Sequence, residues 1–373
     1  MEHIGLFCAT PPLLPSTKAG GRFSSGFRRT DRGLPARIAL CLLFALFFLS
    51  RSQAQRAPRL LSLEPADSLH RGRFWTALGA GSGAYGASMV GLYKAWYAGY
   101  PGGRFHFFND AGEWNQMDKM GHWLMSYNES RWIGGGARWT GIRPKPAAWL
   151  GFAGGQLIQC SLELFDGFSA QWGFSWSDLG FNLLGSGMFV AQQIGWGEQR
   201  ILMKMSAWPV HYSGEPVYPV TPAGSQQWTT LQQRADALYG RGPLSLFLKN
   251  YNTLVVWASF NPRAVLGDRP PWLPKWLNIA VGMGADNLFA GYGYSWQADK
   301  NCSGPDCLTY SVDPRAYPRT RQFFLSLDVD FTRIGIRNRF LRTVLSAANI
   351  FKFPAPALEW NSRGTLRLHP FYF

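Results

Sequence analysis

The chain has 373 residues, enough for two or three domains of ordinary size. Only 16% of them are charged, while Phe, Trp and Tyr supply another 16%, with 17 Trp and 42 Gly. That balance departs from an ordinary soluble domain and favours membrane contact, since aromatic rings sit well at interfaces and Gly lets helices approach closely. The basic residues are scattered and not gathered into one patch, which argues against a nucleic-acid partner.

Taken in order, the chain opens with an export signal. Arg28, Arg29, Arg32 and Arg37 precede an apolar run at 38–49, and Ser-Gln-Ala at 52–54 offers a cleavage site, so residues 1–54 read as a signal peptide. The apolar run is too short to cross a bilayer. The first 33 residues look dispensable, with a true start expected near Leu34. Cys41 lies inside the apolar run and not after it, which argues against a lipid attached there. Without residues 1–54 the chain keeps 30 basic and 20 acidic residues. A positive surface facing anionic lipid or sugar fits that excess.

A helical domain is expected over 70–205. Residues 74–93, 146–162 and 179–197 carry no charge, and a more polar helical pattern runs over 116–132. Gly79, Gly83 and Ala87 repeat every four residues, a spacing suited to close helix contact. The 146–197 stretch reads as a helical hairpin with its turn at 167–177, and Ser177 as the N-cap of the second helix. Pro209, Pro216, Pro219 and Pro222 mark a linker at 206–225. Within 226–373, residues 323–332 alternate clearly, 278–284 and 365–369 are weaker strands, and 339–351 is an amphipathic helix. Three or four strands fall short of an outer-membrane barrel. The expected fold is therefore mainly α: a membrane-associated bundle of about four helices with a smaller mixed α/β C-terminal region.

The chemistry concentrates in the helices. Asp118 and His122 lie four apart, Glu163 and Asp166 three apart, and Asp178 and Asn182 four apart, so each pair shares a helix face. Carboxylates on apolar helices need a countercharge, which Lys119, a divalent metal ion or a proton could supply. Asp118, His122, Glu163, Asp166 and Asp178 are the candidate metal ligands. Asp118, His122 and Asp166 are the candidate catalytic groups, and Lys119 and Asn182 are structural polar partners. Cys302 and Cys307 flank a turn-forming tetrapeptide and are expected to form a disulfide in an oxidising compartment.

Asp-Lys-Met-Gly-His at 118–122, Glu-Leu-Phe-Asp-Gly at 163–167 and Trp-Ser-Asp-Leu-Gly-Phe-Asn at 176–182 together resemble the YfiM-like family, a domain of unknown function described as predicted periplasmic lipoproteins. Residues 325–330 and 354–359 resemble its longer members. The motif order is also similar, more distantly, to the VanZ-like membrane proteins. The resemblance implies a bacterial envelope location and a helical polar core, and it carries no activity. Asp-Gly-Phe-Ser-Ala at 166–170 is similar to the core of CDP-alcohol phosphotransferases, but Gln171 stands where that pattern has Arg and Asn182 where it has its last Asp. The leading expectation is a non-enzymatic envelope protein, in periplasm or outer membrane, whose core is locked by the polar cluster and whose partner is membrane lipid or another envelope component. The alternative is a metal-dependent hydrolase or transferase acting on a lipid or cell-wall precursor.

Overall fold

The computed structural model describes residues 62–97, 102–241, 247–267, 271–299, 302 and 304–373. The expected signal peptide, residues 1–54, lies outside the described residues. Four long helices come first: α1 (Arg71–Leu92), α2 (Met117–Trp139), α3 (Pro144–Gly167) and α4 (Trp176–Gly195). Each start has a local cause. Pro144 pre-sets the first turn of α3, and Ser175, not Ser177, caps α4 by accepting a hydrogen bond from Asp178 N at 3.1 Å.

Glycine sets how closely α2, α3 and α4 approach, but not the glycines of α1. A Cβ at Gly151 would collide with Ser130 O, and one at Gly185 with Trp123 O and Ser126 Oγ. Both approaches bring the α2 backbone against the glycine, with the small Ser126 side chain also in contact at Gly185. Gly79 and Gly83, expected to make such a face, look into open space.

The rest of the described chain centres on a six-stranded antiparallel sheet: β1 (Ile201–Ala207), β2 (Leu254–Phe260), β3 (Leu277–Asp286), β4 (Thr320–Val329), β5 (Ala355–Asn361) and β6 (Leu366–Tyr372), adjacent in that order. Helix α5 (Leu231–Tyr239) lies in the β1–β2 connection, and α6 (Arg339–Ala348) in the β4–β5 connection. Trp257 of β2 and Tyr372 of β6 bring their rings within 6.2 Å, although a flat sheet would hold those strands about 19 Å apart. The sheet is therefore strongly curled. A parallel bridge between Met205 and Phe351 further ties the free edge of β1 to the segment that leads into β5.

The curl gives the sheet two unlike faces. On the concave side Lys204 Nζ meets Asp328 Oδ2 at 2.8 Å, both fully buried, and Ser259 and Asn278 extend the network. Trp257 fills the space beside Gly282, where a Cβ would lie 2.7 Å from its ring. On the convex side α2 covers one end, packing on Met203, Met205, Leu254 and Val256. The uncovered remainder is apolar row by row: Val281, Leu325, Leu358 and Leu368 align across four strands, as do Met283, Phe323, Trp360 and Leu366.

The expectation of a mainly α membrane bundle is overturned. The six-stranded sheet is a principal layer, and among the described residues no helix is long and apolar enough to cross a membrane. The uncharged stretches are interrupted by Gly, Ser and Gln, which lower their hydropathy below that of a spanning helix.

Two glycine substitutions should separate sharply. Gly185→Ala overpacks the α2–α4 contact and should cost about 1–3 kcal/mol in urea denaturation. Gly79→Ala meets open space and gains helix propensity, so stability should hold or rise by up to about 1 kcal/mol.

Candidate functional site: a lysine-centred polar cluster

The chain enters α2 through an unusual turn. Trp114, Asn115 and Gln116 all hold positive φ, between 50° and 62°, a region non-glycine residues rarely occupy. The sheet holds this turn in place. Asn115 Nδ2 donates to Thr320 O at 3.3 Å, and the Arg321 guanidinium reaches Gln116 Oε1. The turn delivers Asp118 and Lys119 into the first turn of α2, where the end of α3 and the start of α4 converge.

Lys119 is the hub. Its Nζ lies 2.8 Å from Asp110 Oδ1, 2.9 Å from Asp118 Oδ2 and 2.6 Å from Asp178 Oδ1, with the side chain 1% exposed. Each carboxylate has further donors or geometry that fix it. Ser175 and Ser177 hydroxyls donate to Asp110 Oδ1 at 2.6 and 2.9 Å, and the Tyr251 hydroxyl donates to Asp118 Oδ1 at 2.7 Å. One helix turn along, His122 Nε2 sits 3.5 Å from Asp178 Oδ1, 3.8 Å from Glu163 Oε1 and 3.9 Å from Asp118 Oδ1. Its Nδ1 lies 3.1 Å from Asn182 Oδ1. Glu163 is fully buried, with Oε2 accepting from Ser175 N at 3.1 Å and Oε1 left without a hydrogen-bond partner.

So many acids in one place shift one another's titration. Burial pushes the Glu163 carboxyl up to about 8, against the lowering effect of His122. Burial also raises Asp178, and it carries Asp166 up to about 6. Asp118 goes the other way: burial is outweighed by the His122 and Lys119 charges, and it stays ionised well below the usual range. For His122 burial disfavours the charge, but Asp178, Asp118 and Glu163 overcome it and lift the imidazole to about 9. Burial likewise works against the Lys119 charge, and Asp118, Asp178 and Asp110 outweigh it and raise the ammonium.

The structure brings Asp118, Lys119, His122, Glu163, Asp178 and Asn182 together. Asp118, His122 and Asp178 place ligand atoms within 4.8 Å of one another, close enough to share a metal ion. Asp166 stands apart, accepting a hydrogen bond from the Tyr97 hydroxyl at 2.7 Å. Cys302 and Cys307 are joined in a disulfide. Asp110, Ser175 and Tyr251 were not among the expected members. Asp110 sits in a loop with no helical spacing to expose it, and Tyr251 arrives from 133 residues away.

Residues 106–193 match the profile of a family described as predicted periplasmic lipoprotein (DUF2279). The match spans α2, α3 and most of α4, and contains every cluster residue named above except Tyr251. It supports an exported, cell-envelope location. No protein of curated function and no solved structure matches the chain.

Replacing Lys119 by Met strands three carboxylates in a buried site and should cost about 3–5 kcal/mol in chemical denaturation at pH 7. The deficit should shrink as the acids are protonated on lowering the pH. In the unsubstituted protein, Glu163, Asp166 and His122 all have folded values above their unfolded ones, so their stabilisation is complete at low pH and lost as pH rises through about 6 to 9. Asp118 acts oppositely, its contribution being lost only as pH falls below the usual carboxylate range. Stability should therefore decline from pH 5 to pH 9, and a flat or rising profile in denaturation at pH 5, 7 and 9 would contradict this assignment.

Proposed function

We propose that the protein is a lipid-seated component of the bacterial cell envelope, with a scaffolding and not a turnover role. The observation that carries this reading is the inverted polarity of the sheet. A soluble sheet buries its apolar face and wets its polar one. Here the polar face is inside, with Lys204, Asp328, Asn278 and Glu359 all buried, while Leu366, Leu368 and Phe371 are 63%, 72% and 66% exposed. Apolar outside and polar inside is the alternation of sheets that face hydrocarbon. Leu325, Leu327, Leu358 and Leu368 also line a shallow apolar dish on this convex side.

Charge supports lipid as the occupant. Helix α6 exposes Phe340, Leu341 and Val344 beside Arg339 and Arg342, the composition of a helix that lies in an anionic interface. Arg363, in the β5–β6 turn, is exposed at the other end of the same strands. Arginines at both ends can reach headgroups while the leucine rows between them meet acyl chains. Within this reading the Lys119 cluster locks α2, the Asp110 loop and α4 into one piece. The motif order further supports kinship with the YfiM-like proteins and, at greater distance, the VanZ-like ones.

The test is co-sedimentation of the full chain with phosphatidylglycerol-rich vesicles. Leu325→Glu with Leu358→Glu should weaken binding tenfold or more while the melting temperature holds, because both side chains are already exposed. Arg339→Glu with Arg342→Glu should abolish the preference for anionic over phosphatidylcholine vesicles. Failure of the unsubstituted chain to bind either vesicle would overturn the proposal. So would substitutions that dissociate an oligomer and leave vesicle binding intact, which would make a second copy the occupant.

A further inference from the structure

The half of the cluster around His122 is arranged differently from the half around Lys119. Lys119 Nζ sits at close ion-pair distance, 2.6–2.9 Å, from its three carboxylates and donates a hydrogen bond to Asp118 Oδ2. Around His122 Nε2 the three carboxylate oxygens stand off at 3.5–3.9 Å, too far for hydrogen bonds. That spacing is close to the separation of neighbouring ligands round a metal: bonds of 2.0–2.2 Å in a tetrahedral site put ligand atoms roughly 3.3 Å apart. Small side-chain shifts would therefore bring them into coordination.

Two further observations point the same way. His122 Nδ1 faces Asn182 Oδ1 at 3.1 Å, so Nδ1–H donates to an amide oxygen and Nε2 faces the carboxylates, where a metal ion would take the place of its proton. A second nitrogen fixed in this manner is the usual support of a metal-binding imidazole. Glu163 is fully buried, yet its Oε1 has no hydrogen-bond partner and faces His122 Nε2 across 3.8 Å. A buried carboxylate oxygen left unpaired carries a desolvation cost that only a cation or a proton can relieve.

We propose that Asp118, His122 and Asp178, with Glu163 closing the fourth side, bind one divalent transition-metal ion. One imidazole nitrogen with carboxylate oxygens suits Zn²⁺ or Mn²⁺ and disfavours Ca²⁺ and Mg²⁺, which take oxygen-only shells. Lys119 belongs to the outer shell: it pairs with Asp118 through Oδ2 and with Asp178 through Oδ1, while Asp118 Oδ1 accepts from the Tyr251 hydroxyl and also faces His122 Nε2. The divalent ion and the Lys119 ammonium would then supply three positive charges against the carboxyls of Asp110, Asp118, Glu163 and Asp178, so the loaded cluster carries one net negative charge or one retained proton. The inference does not depend on lipid binding, and the two readings fail separately.

The full chain, stripped with chelator and dialysed against Zn²⁺ or Mn²⁺ alone, should retain one ion per chain by mass spectrometry of metals. His122→Ala and Glu163→Gln should each weaken retention tenfold or more, while His369→Ala, at the other buried His–Glu pair, should leave it unchanged. A substituted chain could lose metal merely by unfolding, so X-ray absorption of the unsubstituted Zn²⁺-loaded chain is the second readout. It should show one imidazole among oxygen ligands. A shell without imidazole, no retained ion, or equal retention by the folded His122→Ala chain would each overturn the proposal.

Discussion

A single buried ammonium organises the helical layer. Lys119 is placed where three carboxylates from three chain segments can reach it: Asp110 from the loop before α2, Asp118 from α2 itself and Asp178 from α4. Burying one lysine costs several kcal/mol in lost hydration, and only close, multiple pairing offsets that cost. The pairing in turn dictates the local backbone. Lys119 can reach Asp178 only if α2 starts immediately before it, and the three positive-φ residues Trp114 to Gln116 make that abrupt start. Strain of this kind persists when surroundings over-determine it, and here Thr320 and Arg321 of β4 supply the restraint. The glycines of α3 and α4 belong to the same constraint, since they draw α2 close enough for its acids and lysine to meet groups on both neighbours.

The sheet repeats the principle with Lys204. Its ammonium, from the outermost strand β1, reaches Asp328 on β4 and the Val329 carbonyl at 2.7 Å, crossing the concave space over β2 and β3. Such a span is possible only because the sheet is curled. Curling places polar residues inward, where Asn278, Ser259 and Asp328 satisfy one another, and leaves the convex rows of Val, Leu, Phe and Trp as the outer surface. Two buried lysines thus account for an unusual outcome. The polar groups of the concave face are satisfied inside the curl, and the convex face is left apolar.

How far the sequence could reveal this differs between the layers. The helices were readable because uncharged stretches longer than three turns admit few alternatives, although the cap of α4 was read at Ser177 and lies at Ser175. Strands β3, β4 and β6 were readable where inward polar and outward apolar residues alternate, most clearly over 323–329. Strands β1 and β2 were not: residues 201–207 and 254–260 are buried on both faces, and their apolar runs lack the two-residue period. In β5, Pro356 and Glu359 look like breakers until Glu359 is seen paired with His369 inside the curl. With three of six strands unseen, the sheet shrank to an appendage and the uncharged helices became an apparent bundle. The cluster fared better, because helical spacing predicts which acids share a face. It could not predict Asp110 or Tyr251, whose membership depends on tertiary approach alone.

Tyr251 and Arg321 also connect the two layers. Tyr251 precedes β2 and donates its hydroxyl to Asp118, while Arg321 in β4 steadies the turn that presents Asp118 and Lys119. The strand carrying Arg321 also carries Phe323, Leu325 and Leu327 on the convex face. β4 thus joins the convex face to the entry of α2. The cluster is therefore held by contacts from the sheet as well as by its own helices. The sheet acts on the cluster through Tyr251 on Asp118 and Arg321 on the α2 entry, while the partners of Lys119 itself all come from α2, the loop before it and α4.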